Sequence, residues 1–147
     1  MHTLQVIEKV ICSPDYVIEV KAPLFSKARP RLTKSGHAYM PESYRLAQAD
    51  MRHQIREQWQ PREPLNGPIA LYVQMHGEAR IDGDNAVGAL MDAAGPSKKE
   101  AGVLWQDDRV SVIPLVVVDW HKAKKDDSLW RIHILDLAIL PEKCKIG

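Results

Sequence analysis

The stretch of residues 69–96 constrains the fold more than any other part of this sequence. From Ile69 to Met75, apolar side chains alternate with other residues, which is the two-residue period of a half-buried β-strand. Between Asp84 and Ala94 the apolar residues take the spacing of a helix with one apolar face, which Gly95 and Pro96 end. Such a helix must bury that face against another element, and the strand before it predicts that this element is a sheet. The chain is therefore predicted to contain a sheet with helices packed on it.

Similar patterns predict the remaining elements. The apolar spacing between Pro41 and Pro61 is helical, and the stretch Pro23–Pro41 is predicted to be a loop. Strands are predicted at Tyr16–Val20, Val110–Val118 and Leu129–Leu137, with a further strand in Leu4–Ile11. The 147 residues contain no internal repeat and no linker. The expected fold is therefore a single α+β domain over residues 1–147, with a mixed sheet of about four strands.

The distribution of charge is more informative than its net value of +1. Between Glu19 and Glu42 the chain contains no acidic residue and carries the cations Lys21, Lys27, Arg29, Arg31 and Lys34. The last four lie in the predicted loop Pro23–Pro41, which is called here the basic loop. Acidic residues cluster later in the chain, at Asp82, Asp84, Asp107 and Asp108. A metal-dependent enzyme acting on a polyanion needs cations that position phosphates and carboxylates that hold the metal.

Asp82 and Asp84 are the first candidates for metal ligands. They lie in the predicted turn between a strand and a helix, where Gly83 allows a tight bend. Carboxylate oxygens at such a place suit Mg2+. The alternative is that they only cap the helix, a common role of Asp at this position. Asp107 and Asp108 precede the next predicted strand, and their expected return to the same end of the sheet favours a metal site.

Three arginines, Arg45, Arg52 and Arg56, form a stripe on the predicted helix between Pro41 and Pro61. This stripe could face phosphates. A solvated helix face is the favoured interpretation, because surface charge usually has that role.

Two segments together resemble the RusA family of Holliday junction resolvases. Asp82-Gly83-Asp84-Asn85 and its helix are followed by Gly102-Val103-Leu104-Trp105-Gln106-Asp107-Asp108 and a β-rich run, an order similar to the family pattern. Lys27-Ala28-Arg29-Pro30-Arg31 resembles a K-x-R-P-R loop of phage-encoded members. The resemblance covers roughly residues 16 to 137.

The resemblance implies a Mg2+-dependent endodeoxyribonuclease that acts as a homodimer and places symmetrical nicks in four-way DNA junctions. It further implies that Asp82, Asp84 and Asp108 hold the metal, with Asp107 and Asn85 in support, and that the source is a phage or prophage. The expected contacts to the DNA backbone are Lys27, Arg29, Arg31, Lys34 and Arg80.

Gly88 departs from the pattern, because the resolvases usually have a lysine four residues after the second aspartate. A substitute cation is expected from Lys34, Arg80, Lys98 or Lys99. The alternatives are a junction-binding protein with lost or impaired cleavage, and an enzyme that transfers phosphoryl groups on a small substrate.

Several other classes are not expected. No apolar run approaches the ~20 residues of a membrane span, and the start of the chain does not resemble a signal peptide. Cys12 and Cys144 suggest free thiols, so the predicted location is cytoplasmic. Walker A and GxGxxG motifs are absent, which weighs against a nucleotide cofactor, and the histidines lack the spacing of a zinc site.

Overall fold

The structure is a computed structural model that describes residues 2–78 and 80–139. Its elements in chain order are α1 (Thr3–Cys12), β1 (Tyr16–Val20), β2 (Arg31–Leu32), β3 (Ala38–Tyr39), α2 (Glu42–Trp59), β4 (Ile69–Gly77), α3 (Gly83–Ala94), β5 (Leu115–Lys122) and β6 (Leu129–Asp136). Short 3-10 turns follow β5 and β6. The predicted α+β class is confirmed.

Four of the strands form one mixed sheet in the order β1-β6-β4-β5. Strand β6 runs antiparallel to both of its neighbours, and Leu71 of β4 lies opposite Ile134. Strands β4 and β5 are parallel, so α3 and the segment after it return the chain across the sheet between them. This parallel pair decides where the candidate site residues lie.

The main core lies between the sheet and the two longer helices. Trp59 of α2 and Leu90 of α3 are buried against Leu71, Trp130 and other apolar side chains of the sheet. Helix α1 covers part of the opposite face, where Val6 and Val10 pack on Ala70, Tyr72, Leu135 and Leu137. Strand β4 lies where the sequence predicted a strand, but it is buried on both faces over most of its length, so the prediction that it is only half-buried was wrong.

Three predictions of secondary structure were wrong. The predicted loop Pro23–Pro41 contains the short antiparallel strands β2 and β3. The segment Leu4–Ile11 belongs to α1 rather than to a strand, because Val6 and Val10 are four residues apart and bury one helix face. Strand β5 begins at Leu115 rather than Val110. The preceding residues form a turn in which the backbone N–H groups of Val112 and Ile113 donate to the carbonyl of Arg109.

The arginine stripe of α2 does not form a solvated face throughout. Arg52 is only 9% exposed, while Arg45 is exposed. The guanidinium of Arg52 donates to the main-chain carbonyls of Ala93, Gly95 and Ala101. Arg52 therefore ties α2 to the end of α3, and neither the solvated nor the phosphate-facing interpretation holds for it.

In the ranges 2–78 and 80–139, no helix is long and apolar enough to cross a bilayer. Cys12 is an exposed free thiol, as predicted, whereas Cys144 lies outside the described residues. A cytoplasmic location stays a prediction.

Candidate active site

Asp82 and Asp84 lie at the start of α3, with both side chains exposed. Asp82 occupies the N-cap position, yet its side chain makes no capping hydrogen bond to the helix. Its Oδ2 instead accepts a hydrogen bond from Nδ2 of Asn85 (3.3 Å), while Oδ1 of Asp84 accepts one from the Asn85 N–H (2.9 Å). Asn85 thus orients both carboxylates, and the pair stays open to solvent. This arrangement weighs against capping as the main role of Asp82.

The second acidic pair follows a segment that is fixed against the other end of α3. Trp105 is buried, and its Nε1 donates to the carbonyl of Met91 (3.3 Å). Gly102 is required in this tight bend, because an added Cβ would lie only 1.8 Å from the carbonyl oxygen of Trp105. The carboxylate of Asp107 pairs with Arg109, and Asp108 is exposed.

Asp107 is engaged locally rather than at the start of α3. The Arg109 N–H donates to its Oδ1 (2.9 Å), and this backbone hydrogen bond, reinforced by the guanidinium, holds the pKa of Asp107 below its usual value. Asp107 is therefore held ionised by its own turn.

The two acidic pairs lie at opposite ends of α3, a helix of 12 residues that spans about 18 Å. Asp82 follows the C-terminal end of β4, whereas Asp108 precedes the N-terminal end of β5. Because β4 and β5 are parallel neighbours, the C-terminal end of β4 and the N-terminal end of β5 lie at opposite ends of this strand pair. In the described part of the chain, no three His, Cys, Asp or Glu side chains form a group that could hold a metal ion. The expected convergence of the carboxylates thus does not occur within one chain.

The basic loop lies beside the start of α3. The Lys27 N–H donates to the carbonyl of Asn85 (2.9 Å), which fixes the loop to the turn that carries Asp82 and Asp84. Arg29, Arg31 and Lys34 are exposed, and the last two belong to the β2–β3 hairpin. Arg80 is also exposed, three residues before α3. The cations expected to contact DNA are thus accessible to a phosphate backbone.

A sequence model of the family described as Endodeoxyribonuclease RusA matches residues 22–134. The chain belongs to the RusA family. Membership implies endonuclease activity on DNA junctions, and RusA nucleases are generally dependent on a divalent metal. No curated protein sequence gave a match.

The donor chemistry at the start of α3 fits the divalent metal of RusA nucleases. Asp82 and Asp84 offer exposed carboxylate oxygens, the ligand type that Mg2+ prefers, and Mg2+ commonly binds only one or two protein carboxylates. Asp108 of the same chain does not join them. A site with three aspartates in this RusA chain would need a further copy.

Lys27 lies beside Gly88, and the sequence analysis did not predict this position for it. A Cβ placed on Gly88 would meet the Lys27 side chain, at 3.7 Å from Cδ and 3.9 Å from Cβ. The Lys27 Nζ lies 3.2 Å from Oδ2 of Asp92, one helical turn further along α3. Of the four cations expected to substitute at Gly88, Lys98 and Lys99 instead follow the far end of α3, where they line a cavity of about 530 Å³ with Arg45. Nothing in the sequence pattern of this RusA chain indicated Lys27 for that position.

Proposed function

We propose that this protein is a Mg2+-dependent, structure-selective endonuclease that resolves four-way DNA junctions by paired symmetrical nicks. The observation that carries the proposal is the exposed pair Asp82 and Asp84, which Asn85 orients beside the basic loop at the start of α3. Carboxylates next to exposed cations match the two needs of phosphodiester cleavage, a metal and a bound phosphate.

The metal ligands would be Asp82, Asp84 and Asp108. When bound, Mg2+ activates water and offsets negative charge on the phosphate. In the reaction the oxygen of one water bonds to phosphorus, one P–O ester bond breaks, and the departing sugar oxygen takes up a proton. The exposed cations of the basic loop would neutralise neighbouring phosphates and fix the DNA without reading its bases. Recognition would therefore rest on the shape of the junction.

We further propose that the active unit is a homodimer. The separation of Asp82 from Asp108 along α3 supports this, because a second copy can bring its Asp108 to the start of α3. A two-fold dimer would contain two such sites, and a four-way junction offers two symmetry-related strands to cut. The whole of residues 1–147 would act as one domain, and an origin in a phage or prophage stays a prediction.

The test is a nicking assay on a synthetic four-way junction, with linear duplex of the same sequence as the control substrate. With Mg2+ we expect two symmetrical nicks in the junction and little cleavage of the duplex, and we expect EDTA to abolish both. Sedimentation at micromolar concentration should show a dimer. Equal cleavage of the junction and the duplex would overturn junction selectivity. A chain that binds the junction without nicking it would favour the alternative of a junction-binding protein that has lost cleavage.

A further inference from the structure

We propose that Lys27 supplies the cation that is missing at Gly88, and that its ammonium group contacts the phosphate to be cut. This inference rests on the function proposed above. Gly88 lies one helical turn after Asp84 on the face of α3 against which the Lys27 stem packs. The stem therefore lies in van der Waals contact with the point where a side chain at position 88 would begin.

The backbone of Lys27 is fixed to the candidate site. Its N–H donates to the carbonyl of Asn85 at 2.9 Å, in the turn that positions Asp82 and Asp84. Among the cations of the basic loop, and within the described residues, Lys27 alone forms an ion pair with a side chain of α3. Arg29, Arg31 and Lys34 are exposed and form no ion pair in that part of the chain. Lys27 thus differs from the other cations of the loop, because only its ammonium group is held against α3 in the described residues.

The ammonium group is held in a way that allows exchange of its partner. Its ion pair with Asp92 is solvent-accessible, with side chains 53% and 35% exposed, and such pairs contribute little to stability. Asp92 also accepts a hydrogen bond from the Tyr44 hydroxyl at 3.5 Å, so the carboxylate keeps a partner when the lysine leaves. Residues four apart on a helix face lie about 5–6 Å apart, so a lysine rooted beside Gly88 can reach the turn at Asp84 by side-chain rotation.

A phosphate held at Asp82 and Asp84 would replace Asp92 as the partner of the ammonium. There the positive charge would offset the negative charge that builds up on the phosphate and the departing oxygen as the P–O bond breaks. Lys27 would contact the reacting group, whereas Asp92 would be a positioning residue that holds the ammonium before the DNA binds.

The test compares four variants of the full chain: Lys27→Ala, Lys21→Ala, Gly88→Lys and the double variant Lys27→Ala/Gly88→Lys. Lys21 is the matched control, because it is an exposed lysine shortly before the basic loop and forms no ion pair within the described residues. Nicking of the junction is measured in single turnover with protein in excess, together with junction affinity in EDTA and the melting temperature. The double variant removes the ammonium group of Lys27 and introduces another one on the same face of α3, attached to α3 itself. It therefore tests whether a cation at this place is enough for cleavage.

We expect Lys27→Ala to slow nicking by about 100-fold, the effect of removing one charge-stabilising group, while its affinity falls only a few-fold. Lys21→Ala should nick at the normal rate, and the double variant should recover at least about tenfold over Lys27→Ala, which a merely structural role would not explain. Equal rates for Lys27→Ala and Lys21→Ala, or no recovery in the double variant, would overturn the role of Lys27 and leave the proposed nuclease intact. An unmodified chain that does not nick, and gains robust cleavage through Gly88→Lys, would overturn both proposals.

Discussion

The guanidinium of Arg52 on α2 lies 2.8 Å from the carboxylate of Glu100 in the loop that follows α3. Arg56 reaches the same carboxylate, also at 2.8 Å. The hydrogen bond from Arg56 and the charge of Arg52 keep the pKa of Glu100 below its usual value. The contacts of Arg52 with Glu100 and with three main-chain carbonyls thus hold α2 against the C-terminal end of α3 and the loop that follows it.

Replacing Arg52 with leucine should destabilise the fold. The change leaves three main-chain carbonyls without their donor, and each carbonyl that stays buried and unpaired costs about 1–3 kcal/mol. We expect a total loss of about 2–4 kcal/mol in the free energy of unfolding, measured by urea denaturation. Arg45→Leu on the exposed side of the same helix is the control, with an expected change within about 0.5 kcal/mol. Equal midpoints for the two variants would contradict a structural role of Arg52.

Stability should fall as the pH drops below neutrality, in part because of His76. The rings of His76 and His121 are stacked, with their centroids 4.9 Å apart. Burial lowers the pKa of His76, and the positive charges of His121 and Arg131 lower it further, against the opposing charge of Asp119. Protonation therefore favours the unfolded chain. The contribution of His76 is complete above the ordinary histidine pKa of about 6.5 and is lost as the pH falls through the lower pKa of the folded state.

The measurement is the free energy of unfolding between pH 7.5 and pH 5.5, for the unmodified chain and for His76→Gln. We expect the variant to depend less steeply on pH, because the group that resists protonation is gone. Leu46→Gln, at an exposed position of α2, serves as the control, because it changes no titratable group and should leave the pH dependence unchanged. The prediction fails if the three chains lose stability in parallel.

Each of the changes Asp82→Asn, Asp84→Asn and Asp108→Asn should reduce nicking of the junction by about 100-fold or more, because each removes a charge that would offset the metal. Junction affinity in EDTA should be retained or improved, since less negative charge faces the phosphate backbone. Asp126→Asn, in the exposed turn after β5, is the matched control. Asp82→Asn should also melt normally, because Asp82 makes no capping bond. Variants that melt lower and nick normally would return these aspartates to a structural role.

Mixing two inactive variants tests the dimer directly. If each site combines Asp82 of one copy with Asp108 of the other, a heterodimer of Asp82→Asn and Asp108→Asn chains keeps one intact site. Random exchange of subunits should then restore about a quarter of the normal nicking. A mixture of Asp82→Asn with Asp84→Asn is the control and should stay inactive, because both changes affect the same half of each site. No recovery in the first mixture would exclude a site shared between copies.

Affinity for the junction should depend steeply on salt through the basic loop. Replacing Lys27, Arg29 and Arg31 together with alanine should weaken binding and reduce the slope of log affinity against log salt by about three, one for each lost phosphate contact. Lys9→Ala in α1 is the control and should leave the slope unchanged. An unaltered slope in the triple variant would place the DNA on another surface, with the cavity lined by Arg45, Lys98 and Lys99 as the next candidate.

Local sequence determined most of the elements and the chemistry of the candidate site. Helix α3 and strand β6 lie close to their predicted positions, because the period of their apolar residues follows the face that is buried in the main core. The acidic motif at Asp82 and Asp84 was likewise readable, since the turn between a strand and a helix exposes whatever side chains it carries. Where periodicity is short, as in Leu4–Ile11, two or three apolar residues fit both a helix and a strand, and the sequence alone does not decide.

Only the tertiary structure decided which residues meet. Asp82 and Asp108 lie apart because β4 and β5 pair in parallel, and strand direction depends on contacts between distant parts of the chain. Arg52 became buried because the loop after α3 presents carbonyls to it. Lys27 lies beside Gly88 because its N–H donates to the carbonyl of Asn85 and its ammonium pairs with Asp92, residues far from it in the sequence. Periodicity records which face of an element is buried, whereas the partners on that face follow from the packing of the whole chain.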